Sequence, residues 1–96
     1  MSKYILLLNW TEQGIKTIKD SGARYDAAKA AAGKAGVTFE TVYMTFGKYD
    51  QLIIADAASD EAIATVTLRA AALGNVRCTT LKAFPEADYK KITAAV

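Results

Sequence analysis

The apolar positions of this chain alternate between two spacings. Over residues 4–9 they occupy both parities of an extended chain, Tyr4, Leu6 and Leu8 on one side and Ile5 and Leu7 on the other. A strand that is apolar on both sides needs cover on both. Thr11 then opens Thr-Glu-Gln-Gly-Ile, where the hydroxyl is placed to cap a short helix through Ile15 and Ile18, and Gly14 permits a close backbone approach. Ser21-Gly22 is expected to break that segment. From Ala23 the spacing turns helical, with Tyr25, Ala28, Ala32 and Ala35 on one stripe and Arg24, Lys29 and Lys34 off it, until Gly36 supplies a left-handed terminus. A helix so thin and alanine-lined is expected to lie close on a sheet.

Residues 37–46 read as a second strand containing Phe39, Val42, Tyr43, Met44 and Phe46, and residues 51–57 as a third with Leu52 and Ile54 against Ile53 and Ala55. Between them lies Gly47-Lys48-Tyr49-Asp50, whose glycine and aspartate mark a hairpin turn. Ser59 or Asp60 caps a second main helix with a stripe of Ile63, Val66, Ala70 and Leu73, closed by Gly74. Residues 76–84 form a fourth strand that Pro85 ends, and residues 85–96 read as a tail or short helix with Tyr89 and Ile92 available to dock. The order β, α, β, β, α, β predicts an α+β, ferredoxin-like domain over residues 1–96, with both helices on one face of a four-stranded antiparallel sheet.

The succession Gly-x-Tyr-Asp hairpin, helix, Gly74-Asn75-Val76-Arg77 and strand closely resembles the GYD-domain family of small bacterial proteins. Thr11-x-x-Gly14-Ile15 is similar to the family's pattern as well, so the likeness runs from Tyr4 through Phe84. It implies a fold of the dimeric α/β-barrel type and carries over no residue roles.

Helices on one face leave the other bare. Neighbouring strand residues point oppositely, so the large side chains cannot all meet helices, and each one left exposed forgoes roughly 1.5 to 3 kcal/mol. A second sheet is the natural cover, which predicts a homo-oligomer, dimer or larger, packed face to face through Phe39, Tyr43 and Leu81. Thr41, Thr45, Thr79 and Thr80 interleave with these and make such an interface partly polar.

Composition removes several functions. Hydrophobic residues make up 52% of the 96, well above the disordered regime. A net charge of +2 from 12 basic and 10 acidic side chains, with no basic run, gives no footprint for nucleic acid. The apolar start is interrupted by Asn9, Trp10 and Glu12 too soon for a signal peptide, and no window is long enough to span a bilayer, so no membrane partner is expected. One cysteine, Cys78, offers neither a disulfide nor a thiol cluster and suits the reducing cytoplasm. The chain has no histidine, which excludes histidine triads and histidine metal sites, and no glycine-rich phosphate loop. Asp56, Asp60 and Glu61 cluster at a helix start, where they complement the dipole rather than a metal. No cofactor and no metal are expected.

Candidate chemistry gathers in a few places. Tyr49 could donate and Asp50 accept or act as base at the rim of a cleft, although a turn in which Asp50 bonds backbone amides explains the same residues. Asn9 and Trp10 at the end of the first strand could line a pocket for a flat apolar ligand, or Trp10 could plug the core. Arg24, Arg69 and Arg77 could each hold an anion or an ion pair, and Arg77 faces the expected interface. Two classes follow. The first is a non-enzymatic oligomeric module binding a small molecule or protein in the cleft between sheet faces, with Asn9, Trp10, Tyr43, Tyr49, Asp50 and Arg77 as its lining. The second is a cofactor-independent enzyme, monooxygenase-like or isomerase-like, acting on a small aromatic or carbonyl compound, with Asn9, Trp10, Tyr43, Tyr49 and Arg77 as its candidate lining. The lack of histidine and of an acid-base pair weighs against the second.

Overall fold

Both-sided strands and one-sided helices leave the chain a single economical arrangement, a sheet with its helices stacked on one side. The computed structural model, which describes residues Met1–Val96, has this form. The strands are β1 (Ser2–Trp10), β2 (Val37–Met44), β3 (Gln51–Ala57) and β4 (Val76–Ala83). They form one sheet in the order β2-β3-β1-β4, every pair antiparallel, so the ferredoxin-like expectation holds. The helices are α1 (Glu12–Lys16), α2 (Ser21–Lys34), α3 (Asp60–Ala72) and α4 (Glu86–Ala94), with a 3-10 turn at Ile18–Asp20. No helix is long and apolar enough to cross a membrane.

Several boundaries differ from those read off the sequence. Ser21 and Gly22 begin α2 instead of breaking a helix; the break comes earlier, where α1 gives way at Thr17 to the 3-10 turn. Ile15 and Ile18 therefore end up exposed. β2 stops at Met44, and Phe46 sits in the connecting loop, 95% exposed. The cap of α3 is Ser59, whose hydroxyl accepts from the Ala62 amide at 3.1 Å, and not Asp60. Leu73, expected on the core stripe, is exposed; it is the cap residue just past the end of α3. Gly36 and Gly74 do end their helices with φ of 81° and 87°.

The core lies on the helix side. Tyr4, Leu6 and Leu8 of β1, Ile53, Ala55 and Ala57 of β3, and Ile63 and Val66 of α3 are buried there. The register places Ile5 opposite Ile54 and Leu81, and Leu7 opposite Leu52, on the other face, which no element covers. A bulge in β2 between Phe39 and Thr41 decides where its side chains go. Phe39, opposite Ala55, and Val42, opposite Ile53, both join the helix side, while Thr41 and Tyr43 join the open side. The sequence reading placed Phe39 beside Tyr43 and Leu81. The structure instead buries Phe39 to 5% exposure and stacks it on Tyr25 of α2, ring centroids 6.0 Å apart.

Helix α4 stands apart from this core. None of its residues is buried. The radius of gyration, 14.3 Å, exceeds the roughly 12.5 Å of a compact chain this long, and the longest dimension reaches 48 Å.

Candidate functional site

The signature loop is tied to the end of β1 through backbone groups. The Asp50 amide donates to the Leu8 carbonyl at 2.8 Å, and an Asp50 carboxylate oxygen accepts from the Trp10 amide at 2.9 Å. Asn9 donates its side-chain amide to the Lys48 carbonyl at 2.8 Å. Within the loop the Thr45 hydroxyl reaches the Tyr49 carbonyl at 2.6 Å, and Gly47 takes a φ of 120° that a side chain would resist. The Lys48 ammonium lies 5.7 Å from the Tyr49 ring centre. Asp50 thus extends the ladder past the last β-pair, where the Trp10 amide would otherwise lack an acceptor.

The other two sequence motifs meet at the same end of the sheet. The Thr11 hydroxyl accepts from the Gly14 amide at 3.1 Å, as a cap should, and its amide donates to the Asn75 carbonyl at 3.0 Å. Gln13 donates to the Leu73 carbonyl and to the Asn75 side chain, both at 3.0 Å. Gly14 is buried against Asn75. Arg24, from α2, donates to the Gly14 and Thr17 carbonyls at 3.2 and 3.0 Å and so braces the 3-10 turn.

The sheet divides the residues that the sequence grouped as one pocket. Asn9 and Arg77 are cross-strand partners on the open face, with Tyr43 on the same side. Trp10 pairs with Val76 on the helix side. Tyr49 and Asp50 belong to the connecting loop. Asn9, Tyr43 and Arg77 therefore share a face, and Trp10 does not join them.

Trp10 lines a different hollow. Between α2, α3 and the sheet is a cleft of about 370 Å³, within the range of small-molecule sites. Its floor comes from Leu6, Leu8, Phe39, Ile53 and Cys78, with Trp10 and Val76 at one end. One wall is α2, through Tyr25, Ala28 and Ala31; the other is α3, through Val66, Ala70 and Leu73. Hydrophobic residues make up 15 of the 21 that line it, and Arg24 and Arg69 are the only charged ones. The cause is visible in α2: alanine side chains are too short to reach α3, so the helices splay and barely touch. Only Ala32 is fully buried against the core. The expectation that an alanine-lined helix lies close on the sheet holds for Ala32, which is buried, and for Tyr25, Ala28 and Ala35, which pack partly buried against the core, while the gap opens on the side toward α3. Burial pushes the Tyr25 phenol, with help from Asp26, and the Cys78 thiol upward, so both are neutral near pH 7.

A second, more open depression on the flank of α3 is framed by Tyr4, Asp60 and Lys82. Its polar groups satisfy one another: the Tyr4 hydroxyl and the Lys82 ammonium both donate to Asp60, the latter at 3.1 Å. On the open face Lys3 similarly pairs with Glu40 at 2.6 Å and Asp56 at 3.3 Å.

A four-stranded antiparallel sheet with helices on one face and three interlocking turn motifs defines a ferredoxin-like protein of the GYD type. The GYD-domain model matches residues 4–93, and the chain belongs to that family. No curated protein matches it. Among solved structures it is similar to the leucine response regulatory protein LrpA of Mycobacterium tuberculosis, with 16% identity and a TM-score of 0.65 over 86% of this chain and 50% of that one. It is similar also to TTHA0845 of Thermus thermophilus, with 23% identity and a TM-score of 0.57 over 88% and 94% of the two chains. For FFRP-DM1 the values are 12% and 0.60 over 88% and 100%. The chain thus spans half of LrpA and nearly all of the other two, and at these identities the likeness concerns the fold.

Proposed function

We propose that the chain is the subunit of a homo-oligomeric, non-enzymatic module that binds a small molecule in the cleft between helices and sheet. The cleft carries this reading, because an apolar hollow of about 370 Å³ in a chain of 96 residues forgoes packing that larger side chains on α2 would restore. Its position differs from the intersheet site expected from sequence: Asn9, Tyr43 and Arg77 remain for the face between subunits, while Trp10 goes to the ligand.

Self-association is supported by the open face. Ile5, Leu7, Leu52 and Ile54 are half-buried at its centre, Tyr43 and Leu81 are exposed at 58% and 44%, and all lie on one side of the register. A contiguous apolar surface of this kind favours a second copy. The enzyme alternative has less behind it, since no carboxylate lines the cleft and the phenol and thiol that do are held neutral. We place the protein in a reducing bacterial cytoplasm on the strength of its family and its free cysteine.

Native mass spectrometry tests both parts at once. The protein is expected to fly as a dimer or larger assembly at micromolar concentration, with excess mass from a retained small molecule that is lost on filling the cleft by Ala28→Phe. A single-copy species with nothing bound, before or after incubation with apolar compounds, counts against the proposal.

A further inference from the structure

We infer that the ligand is a small monocarboxylate with an apolar, aromatic-sized tail, its headgroup held by Arg69 and its tail laid along Leu8, Phe39 and Ile53. The inference rests on the cleft being the binding site and adds the chemistry of what enters it. Charge is the first argument. Two arginines line the cleft from opposite walls, Arg24 on α2 and Arg69 on α3, and no aspartate or glutamate lines it to balance them. Arg69 is exposed, so an anion's headgroup would meet it at the solvent-facing edge of the cleft, where water and salt weaken the attraction, while the tail enters the apolar hollow.

The second argument is the inequality of the two arginines. Arg24 already donates to three acceptors, the Thr17 carbonyl and hydroxyl and the Gly14 carbonyl, so its guanidinium is held in place by the fold. Arg69 takes part in none of the chain's side-chain hydrogen bonds or ion pairs, whereas Asp60 at the start of α3 pairs with Lys82. Its planar fork is free for bidentate contact with one carboxylate. Arg69 lies one helical turn from Val66 and from Leu73, both of which also line the cleft, so its stem follows the apolar wall while its head stays near the mouth.

The third argument is shape and polarity of the walls. Tyr25 and Phe39 stack on one side and Trp10 closes one end, which suits a flat tail. Arg24 is occupied by the Thr17 and Gly14 oxygens, and the other polar lining residues, Ser21, Gln51, Thr67 and Asn75, are uncharged, so a second charged group on the ligand would find no free charged partner beside Arg69.

Trp10 is the only tryptophan and lines the cleft, so its fluorescence reports occupancy. Phenylbutanoate and phenylbutanol, which share a tail and differ in charge, are titrated against wild type, Arg69→Gln and Ala28→Phe. The carboxylate should bind about tenfold or more tighter than the alcohol, as one charge-assisted contact provides. Arg69→Gln should erase that margin, so that the carboxylate binds no more tightly than the alcohol to the same variant, and Ala28→Phe should weaken both. Equal binding of the two compounds to wild type, or a margin that survives Arg69→Gln, overturns the carboxylate assignment while the cleft stands as a site. Absence of binding by either compound overturns the assignment and the cleft together.

Discussion

A Cβ atom added to Gly14 would lie 2.1 Å from the carbonyl oxygen of Asn75, nearer than any two such atoms can come. The contact joins the turn after β1 to the turn before β4, and the same carbonyl accepts from the Thr11 amide at 3.0 Å. Gly14→Ala must therefore push the two turns apart and loosen the Thr11 bond. We expect a loss of about 1 to 3 kcal/mol or more, the cost of overpacking a tight site. Gly22→Ala is the control, because a Cβ there meets nothing within 4 Å and the position is helical, where alanine is favoured. Urea denaturation of the two variants should separate them clearly, and similar midpoints would show that the turns can move apart at little cost.

The pair formed by Tyr4 and Asp60 links β1 to the start of α3 and makes stability depend on pH at both extremes. The phenol's hydrogen bond, followed by that of Lys82, holds the Asp60 carboxyl below the 3.8 usual for aspartate. A depressed carboxylate adds stability that is present above the unfolded pKa and is lost as pH falls through the folded one. The same bond, with burial, raises the Tyr4 phenol above 10.0, so its contribution is complete below that pH and is lost as alkali titrates the folded state. In Tyr4→Phe the Asp60 carboxyl should move up in a carbon-detected NMR titration, still short of 3.8 because Lys82 remains. An Asp60 titration that does not move in the variant would mean that the hydroxyl is not its main partner.

The ferredoxin-like element order and the cap at Thr11 were legible from sequence, since each rests on local spacing and on residues with one strong preference, whereas the choice between Ser59 and Asp60 as the cap of α3 was not. The face on which Phe39 lies was not. One bulge between Phe39 and Thr41 reverses the parity of everything after it in β2, and nothing in Phe39-Glu40-Thr41 announces an extra residue. The site was legible residue by residue and not as a group: Arg24, Arg69 and Trp10 each attract notice in the sequence, but only the gap between α2 and α3 brings them to one cleft. The alanines at 27, 28, 31 and 32 were the available signal, and they allow equally a close-packed helix or an unfilled space.

That parity reversal makes Phe39 and Tyr43 behave oppositely on substitution. Phe39 is 5% exposed in the core, so Phe39→Ala should cost about 3 to 5 kcal/mol at any protein concentration. Tyr43 is 58% exposed on the open face, so Tyr43→Asp should leave the subunit folded and, on the face-to-face assembly proposed above, lower the mass seen in sedimentation velocity. If Tyr43→Asp changes neither subunit number nor melting temperature, the subunits do not meet through this face.

Helix α4 offers the chain least in return for its order. It buries no residue, and although Lys90 pairs with Glu86 at 2.9 Å along it, an exposed pair of that spacing contributes only about 0.3 to 0.5 kcal/mol. Isolated helices this short are marginal in water. Deleting residues 85–96 should therefore move the melting temperature of the dilute protein by less than about 8 °C, the shift expected for roughly 1 kcal/mol in a domain of this size. Amide exchange should show α4 opening far more readily than β1, whose amides are shared with β3 and β4 on both sides. A truncated chain that no longer folds would place α4 against the core, contrary to the exposure of Tyr89 and Ile92 at 58% and 48%. Protection of α4 that grows with protein concentration would instead put those two side chains on a neighbouring copy, and truncation would then lower the oligomer's mass without lowering the stability of the single subunit.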